Sequence, residues 1–237
     1  MPYTVSHAII SLPVCSFTRN KIPLFSVIVG SISPDFPYLL ALSPTYAPGH
    51  SMLGVLIYCL VPSLIVLFFW YRWFEIPTIN LFHLPRRQKK FETSSYYLII
   101  IGVLIGAYSH ALWDATSHSY GAFVVANDFM HRERFSLPLY KWNQYGSGIL
   151  GLILLTFWYI YSVFKNRQNA YQGYFVLGAG VYAVSILSFI VLANVIHGSE
   201  ALSEYAVHSA VGVLSGGIVG TIIYSLITHL SSILRAN

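Results

Sequence analysis

Apolar residues gather along the chain into five runs, at roughly Ser51–Tyr71, Ser95–Trp113, Gly146–Phe164, Gln172–Ile196 and Ala206–Leu234. A helix that crosses a bilayer needs about 20 apolar residues at about 1.5 Å each, and all five runs meet that length. The last is long enough to tilt or to extend past the bilayer. Glycines such as Gly102, Gly106, Gly178, Gly180, Gly212, Gly216, Gly217 and Gly220 lie inside these runs. In lipid, small residues let neighbouring helices approach closely, so Gly216-x-x-x-Gly220 reads as a packing face. The first fifty residues differ. Pro2, Pro13, Pro23, Pro34, Pro37, Pro44 and Pro48 divide them into short pieces, with apolar runs at Ala8–Val14 and Ile22–Ile32. These predict a helical hairpin or a re-entrant unit packed on the bundle, because irregular backbone at membrane depth must be buried in protein or line a water-filled cavity. Met1–Ile10 carries His7 in place of a basic segment, so no signal peptide is expected there. The expected fold is an all-α, polytopic helical membrane protein with about five transmembrane helices. It forms one membrane domain: the N-terminal unit 1–50, three spans over 51–164 and two over 165–237.

Composition sharpens this picture. Only 9% of the 237 residues are charged and 56% are apolar, where a soluble domain carries roughly 25% charge. A water-soluble enzyme is thereby excluded, and so is a disordered chain. Cys15 and Cys59 are too few for a disulfide scaffold or a cysteine-rich metal cluster, and Cys59 reads as a small apolar residue. The net charge of +5 comes from basic clusters between the apolar runs, which points to membrane topology and not to nucleic acid. Arg72, Arg86, Arg87, Lys89, Lys90, Lys165, Arg167 and Arg235 fall on one side. Arg19, Lys21, Arg132, Arg134 and Lys141 fall on the other. Eight against five places the first set in the cytoplasm by the positive-inside rule. The N-terminal unit and the loop Asp114–Tyr145 then share the exoplasmic face.

Candidate chemistry concentrates on that face. His110, Asp114 and His118 are spaced i, i+4, i+8 at the end of the second run and therefore share one helix face. Ionisable groups at such a place are costly unless paired, hydrated or metal-bound. Imidazole and carboxylate are ligands for zinc and similar ions. His110 and His118 are about 12 Å apart along the axis, too far for one ion, but Asp114 between them can bridge two ions. His7, Asp35 and His50 are the only His, Asp or Glu residues in the first fifty positions, and they share the same predicted side. Four His and two Asp form the inventory of a metal site, or of a hydrogen-bonded polar cluster. His131 and Glu133 beside Arg132 and Arg134 read as a solvated charge run, His197 and His208 as interfacial residues or, for His197, as an additional member of the site, and His83 and His229 as remote from any chemistry. Gln144 either caps the next helix or meets a substrate, and Tyr140, Trp142 and Tyr145 form an interfacial aromatic belt. No nucleophile elbow, phosphate-binding loop, zincin helix or dinucleotide fingerprint occurs.

Met1-Pro2-Tyr3-Thr4-Val5-Ser6-His7, Gly30-Ser31-Ile32-Ser33-Pro34-Asp35-Phe36, Gly106 through His118, and Leu137 through Gln144 resemble the domain-of-unknown-function 4184 family, prokaryotic multi-spanning proteins. The resemblance covers about residues 1–160, with hydropathy alone beyond, and implies a multi-pass protein of the prokaryotic plasma membrane. A looser similarity links the order His, Asp, His, His-x-x-x-Asp, His to zinc-dependent phospholipase C, to the related zinc nucleases and to predicted membrane-bound metal-dependent hydrolases. That similarity implies that Asp35, His50 and His110 ligate one zinc ion, with Asp114 bridging to a second held by His7. It also implies a third ion on His118 with His131 or Glu133, although the step from Asp114 to His118 is shorter than in the soluble enzymes. The expected function is a metal-dependent phosphoester hydrolase using two Zn2+ or similar divalent ions, with Asp35 orienting or deprotonating the attacking water. Its site lies at the exoplasmic surface, where membrane lipids surround it and a lipid-phosphate substrate is at hand; no nucleic-acid partner is expected. The alternative is a non-catalytic protein whose cluster is structural or carries metal ions or protons. A transporter would place polar residues at mid-depth, where these spans have almost none.

Overall fold

The computed structural model of the protein describes residues 4–45, 48–84, 95–166 and 175–236. A 3-10 helix, Thr4–Ile10, leads into α1 (Ser11–Phe17). There follow α2 (Leu24–Ile32), α3 (Phe36–Ala41), α4 (Met52–Phe82) and α5 (Ser95–Ser117). The remainder is α6 (Ala122–Val125), α7 (Leu139–Asn166), α8 (Phe175–Ile196) and α9 (Leu202–Ala236). The only strands among the described residues are β1 (Glu133–Arg134) and β2 (Leu137–Pro138), paired antiparallel. Among the described residues six helices are long and apolar enough to cross a membrane, five of them in the expected runs. The sixth, Leu24–Ala41, arises because α2 and α3 join through a 3-10 turn at Ser33–Asp35. Apolar side chains such as Leu187, Val191 and Val195 of α8 face outward, while Ser185 and Ala193 are buried. This inversion of the soluble pattern is what a lipid solvent selects. The chain is an all-helical, multi-pass membrane protein.

Two compact units interleave along the chain. The first comprises Met1–Asp35, Ala47–Leu67 and Arg87–Trp158. Its centre is the contact of α2 with α5, made possible by glycines on both helices. Gly102 faces Ile22 and Ser26, Gly106 faces Val27 and Ser31, and the next turn of α5 brings His110 to Ser31. The two helices therefore run parallel. The chain reverses at Thr18–Lys21, so the 3-10 helix and α1 run from His7 at one end to Phe17 at the other. Arg19 and Lys21 lie beside Leu98 and Ile101, at the start of α5. This corrects the expected charge count. Those two cations sit about 20 Å along α5 from Asp114, at the opposite end from His7 and Asp35. Arg86, Arg87, Lys89, Lys90, Arg167, the side chain of Arg235 and the start of the fourth expected span lie outside the described residues.

A Cβ at Gly106 would come within 2.6 Å of the Ser31 backbone nitrogen. Nothing lies within 4 Å of a Cβ at Gly180. Gly106→Leu is expected to cost about 3 kcal/mol, the upper end of overpacking penalties, because backbone cannot swing aside. Thermal unfolding of Gly106→Leu beside Gly180→Leu in one detergent checks this, and equal losses would contradict the close approach.

The second unit comprises Phe36–Tyr46, Phe68–Arg86 and Tyr159–Asn237. Gly212, Gly216 and Gly220 meet Ile190, Ile186 and Tyr182 in turn, so α8 and α9 are antiparallel and the small-residue face is one turn longer than the expected pair. In α4, Pro77 cannot donate to the carbonyl four residues back, that of Trp73. A π-helical turn at Trp70–Phe74 absorbs the break, and His229 Nε2 donates to that carbonyl at 2.9 Å.

Candidate metal centre

Three short helical breaks deliver three side chains to one end of α5, all within the first unit. His7 comes from the Thr4–Ile10 3-10 helix, and Asp35 from the turn that Pro34 imposes between α2 and α3. His50 comes from the Pro48–His50 turn just before α4. Across from them His110, Asp114 and His118 occupy one face of α5. His7 and His110 are each 1% exposed, Asp35 4% and Asp114 5%. Four of the six converging side chains are thus buried.

The Asp114 carboxylate lies between two sets of imidazoles. Its Oδ2 is 3.2 Å from His50 Nε2 and 3.3 Å from His110 Nε2. Its Oδ1 is 3.5 Å from His7 Nε2 and 3.4 Å from His118 Nδ1. Asp35 Oδ1 faces the first set, 3.3 Å from His50 Nε2 and 3.7 Å from His110 Nε2. Two overlapping triads, His7/His110/Asp114 and Asp35/His50/His110, each hold their ligand atoms within 4.8 Å of one another. The separations are informative. Charge-assisted N–H···O bonds prefer about 2.7–2.9 Å, whereas two donors each about 2.0–2.1 Å from a tetrahedral zinc lie about 3.3 Å apart. Most of these distances match the second length.

Outer contacts fix the donors. His110 Nδ1 donates to the Ser31 carbonyl at 2.6 Å, which leaves Nε2 as the lone-pair nitrogen aimed at the carboxylates. Thr4 Oγ1 donates to Asp35 Oδ2 at 2.5 Å, so Oδ1 is the oxygen turned inward. His7 stacks on His110 with centroids 3.9 Å apart and meets the edge of Trp113 at 4.8 Å. Among the described residues, the buried His110 Nε2, Asp114 Oδ1 and His7 Nδ1 have no hydrogen-bond partner. Unsatisfied buried atoms of this kind are costly, and a cation would satisfy the first two. Burial, reinforced by His110, pushes the His7 imidazole down to about 3, so it is a neutral donor. Burial also opposes charge on His50, but hydrogen bonds to Asp114 and Asp35 outweigh it and raise that imidazole to about 10. The two carboxylates therefore demand positive charge between them. The donor set fits a divalent transition metal.

Other candidates fall elsewhere. His131 Nε2 donates to the Val124 carbonyl at the end of α6, and Glu133 is exposed on β1. The expected third ion on His118 with either of them is not supported by this placement, since His118 turns to Asp114. Gln144 is buried on α7, its Oε1 accepting from Lys141 Nζ at 2.9 Å. Asn143, next to it, donates to Thr116 of α5. His197 belongs to the second unit, where its Nε2 donates to the Ala41 carbonyl and its ring stacks on His208. Tyr140 and Tyr145 flank the Lys141 ammonium at 5.8 and 5.6 Å. Sequence reasoning missed Thr4, Ser31 and Trp113. Thr4 stands three residues before His7, and Ser31 one turn before Asp35, but a backbone acceptor leaves no trace in residue type.

No curated protein and no solved structure matches the chain. A family model described as a domain of unknown function (DUF4184) matches residues 1–226, so the six converging side chains and nearly all of the helices that carry them fall within it. The chain belongs to the DUF4184 family.

Proposed function

We propose that the protein is a membrane-embedded, divalent-metal-dependent hydrolase of phosphoesters, with lipid-anchored esters as its substrate class. The observation that carries this reading is Asp114, a buried carboxylate whose two oxygens each face a separate set of imidazoles. His50, His110, Asp35 and Asp114 Oδ2 would hold one ion; His7, His118 and Asp114 Oδ1 would hold a second. Bound there, Zn2+ or a similar ion supplies Lewis acidity and lowers the pKa of water toward ~7. The three donors of the second set leave it open to solvent, as a hydrolytic site needs, and the first set opens where Asp35 exchanges ligation for the nucleophile. The side chains of His50 and His118, 15% and 12% exposed, are the part of the cluster that solvent and substrate reach. Asp35 Oδ1 lies across from both imidazoles of the first set and orients the nucleophile, while Thr4 holds its other oxygen. The cluster sits toward one end of a 23-residue helix about 34 Å long, which supports a site near a bilayer surface. In this reading that surface is the exoplasmic face of a prokaryotic plasma membrane, which is why a lipid phosphate or lipid-linked phosphoester fits best.

The test uses the full chain in nanodiscs that contain phospholipid substrates. Elemental analysis is expected to find about two transition-metal ions per chain. Headgroup or phosphate release should stop on chelation and return with Zn2+. Protein that takes up no metal would end the metal reading, and metal-loaded protein that hydrolyses none of the esters would leave a structural or transport role.

A further inference from the structure

We propose that the turn between α1 and α2 binds an anionic phospholipid of the leaflet opposite the His/Asp cluster. An open groove of about 350 Å3 lies there, walled by Phe17, Ile22, Leu98 and Ile101, with Arg19 and Lys21 at its rim. Three features converge on one ligand chemistry. The walls are apolar and suit an acyl chain. The two cations have no carboxylate partner among the described residues, although a charge at a membrane interface is normally paired or held by phosphate. Nor are they needed to cap α1: the backbone nitrogens of Arg19, Asn20 and Lys21 already donate to the carbonyls of Ser16, Cys15 and Thr18. Arg19 and Asn20 both adopt left-handed backbone, at φ 50° and 58°, which non-glycine residues rarely do. The tight reversal brings Arg19 and Lys21 to the same rim.

Depth supplies the headgroup. The groove opens where α5 begins, about 20 Å along that helix from Asp114. With the cluster at one surface of a hydrocarbon layer about 30 Å thick, the groove lies toward the other surface, where lipid phosphates are met. With Arg19 and Lys21 moved to that side, the basic residues become 10 against 3, and the positive-inside rule assigns the groove to the cytoplasmic leaflet. The glycerophosphate would sit between the two cations, with one acyl chain along Leu98 and Ile101. Lipid here is a structural ligand that braces the α1–α2 hairpin against α5, separate from any ester that the cluster handles.

The test is made on the purified full chain in a neutral detergent. Native mass spectrometry after exchange into equal phosphatidylglycerol and phosphatidylcholine is expected to show one retained phosphatidylglycerol, with about thirtyfold preference from two interfacial cations. Added phosphatidylglycerol should raise the thermal midpoint saturably, whereas phosphatidylcholine and inorganic phosphate should not. Arg19→Gln with Lys21→Gln should lose both the preference and the shift; Ile101→Trp, which keeps the cations and fills the groove, should lose the retained lipid. Equal retention of the two lipids by the unaltered chain overturns the proposal even if neither variant folds. An equal shift from inorganic phosphate would reveal a simple anion site and overturn the lipid assignment.

Discussion

Asp114→Ala is expected to strip the protein of metal at both positions, lowering affinity by more than about a hundredfold. Changing an outer-contact residue alone typically costs 10–100-fold in affinity, and Asp114 is the one group whose oxygens face both imidazole sets. The remaining donors divide into Asp35, His50 and His110 on one side and His7 and His118 on the other, and the second pair has no carboxylate left. Because Asp114 sits on the regular helix α5, where alanine is a favourable residue, the change should leave the backbone intact. Two variants calibrate the result. His83→Ala and His229→Ala should keep their full metal complement. His83 ends α4 in left-handed backbone at φ 53°, and His229 serves the Trp73 carbonyl. His229→Ala should nevertheless lower thermal stability by roughly 1 kcal/mol, the usual worth of one hydrogen bond between membrane helices. Elemental analysis of the three variants beside the unaltered chain decides. Equal metal in all four would make the cluster merely polar.

What the sequence disclosed and what it concealed follow from different physics. Long apolar runs, the i, i+4, i+8 spacing on α5 and the prolines around Asp35 and His50 are local signals, and each fixes an element or a shared face without reference to the rest of the chain. The join between α2 and α3 was less legible. Pro34 reads as a break, yet the 3-10 turn it forms carries the helix onward, and Leu24–Ala41 becomes long enough to span. The sides of Arg19 and Lys21 were misassigned for a related reason. Alternation treats residues 1–50 as one loop on one face, whereas a helical hairpin carries its turn about 20 Å away from its ends. Outer contacts were the least legible. The Ser31 carbonyl that orients His110 and the Ala41 carbonyl that receives His197 are backbone groups, and any residue type supplies them. His131, His197 and His229, which sequence alone leaves open or sets aside, share one structural use: each donates to a carbonyl near a helix end or a proline break.

Asp35→Asn is expected to retain part of the bound metal while lowering phosphoester turnover by at least about a hundredfold. The amide is nearly isosteric and keeps one oxygen, so it can still accept from Thr4 or face His50 and His110, but it cannot do both as an anion. His50, His110 and Asp114 Oδ2 remain as donors to that position, which is enough for weakened binding. What is lost is the negative charge facing the imidazoles and the ability to hold or accept a proton from the nucleophile, a contribution typically worth 10²–10⁴-fold. Thr4→Val separates that role from simple ligation. It removes the hydroxyl that fixes Oδ2 but leaves the carboxylate, so metal content should be nearly unchanged and turnover reduced by a smaller factor, about tenfold. The measurement pairs elemental analysis with initial rates on the same nanodisc preparations. Asp35→Asn that turns over substrate at the full rate would place the carboxylate outside the reaction, and loss of metal in strict proportion to loss of rate would leave it a ligand only.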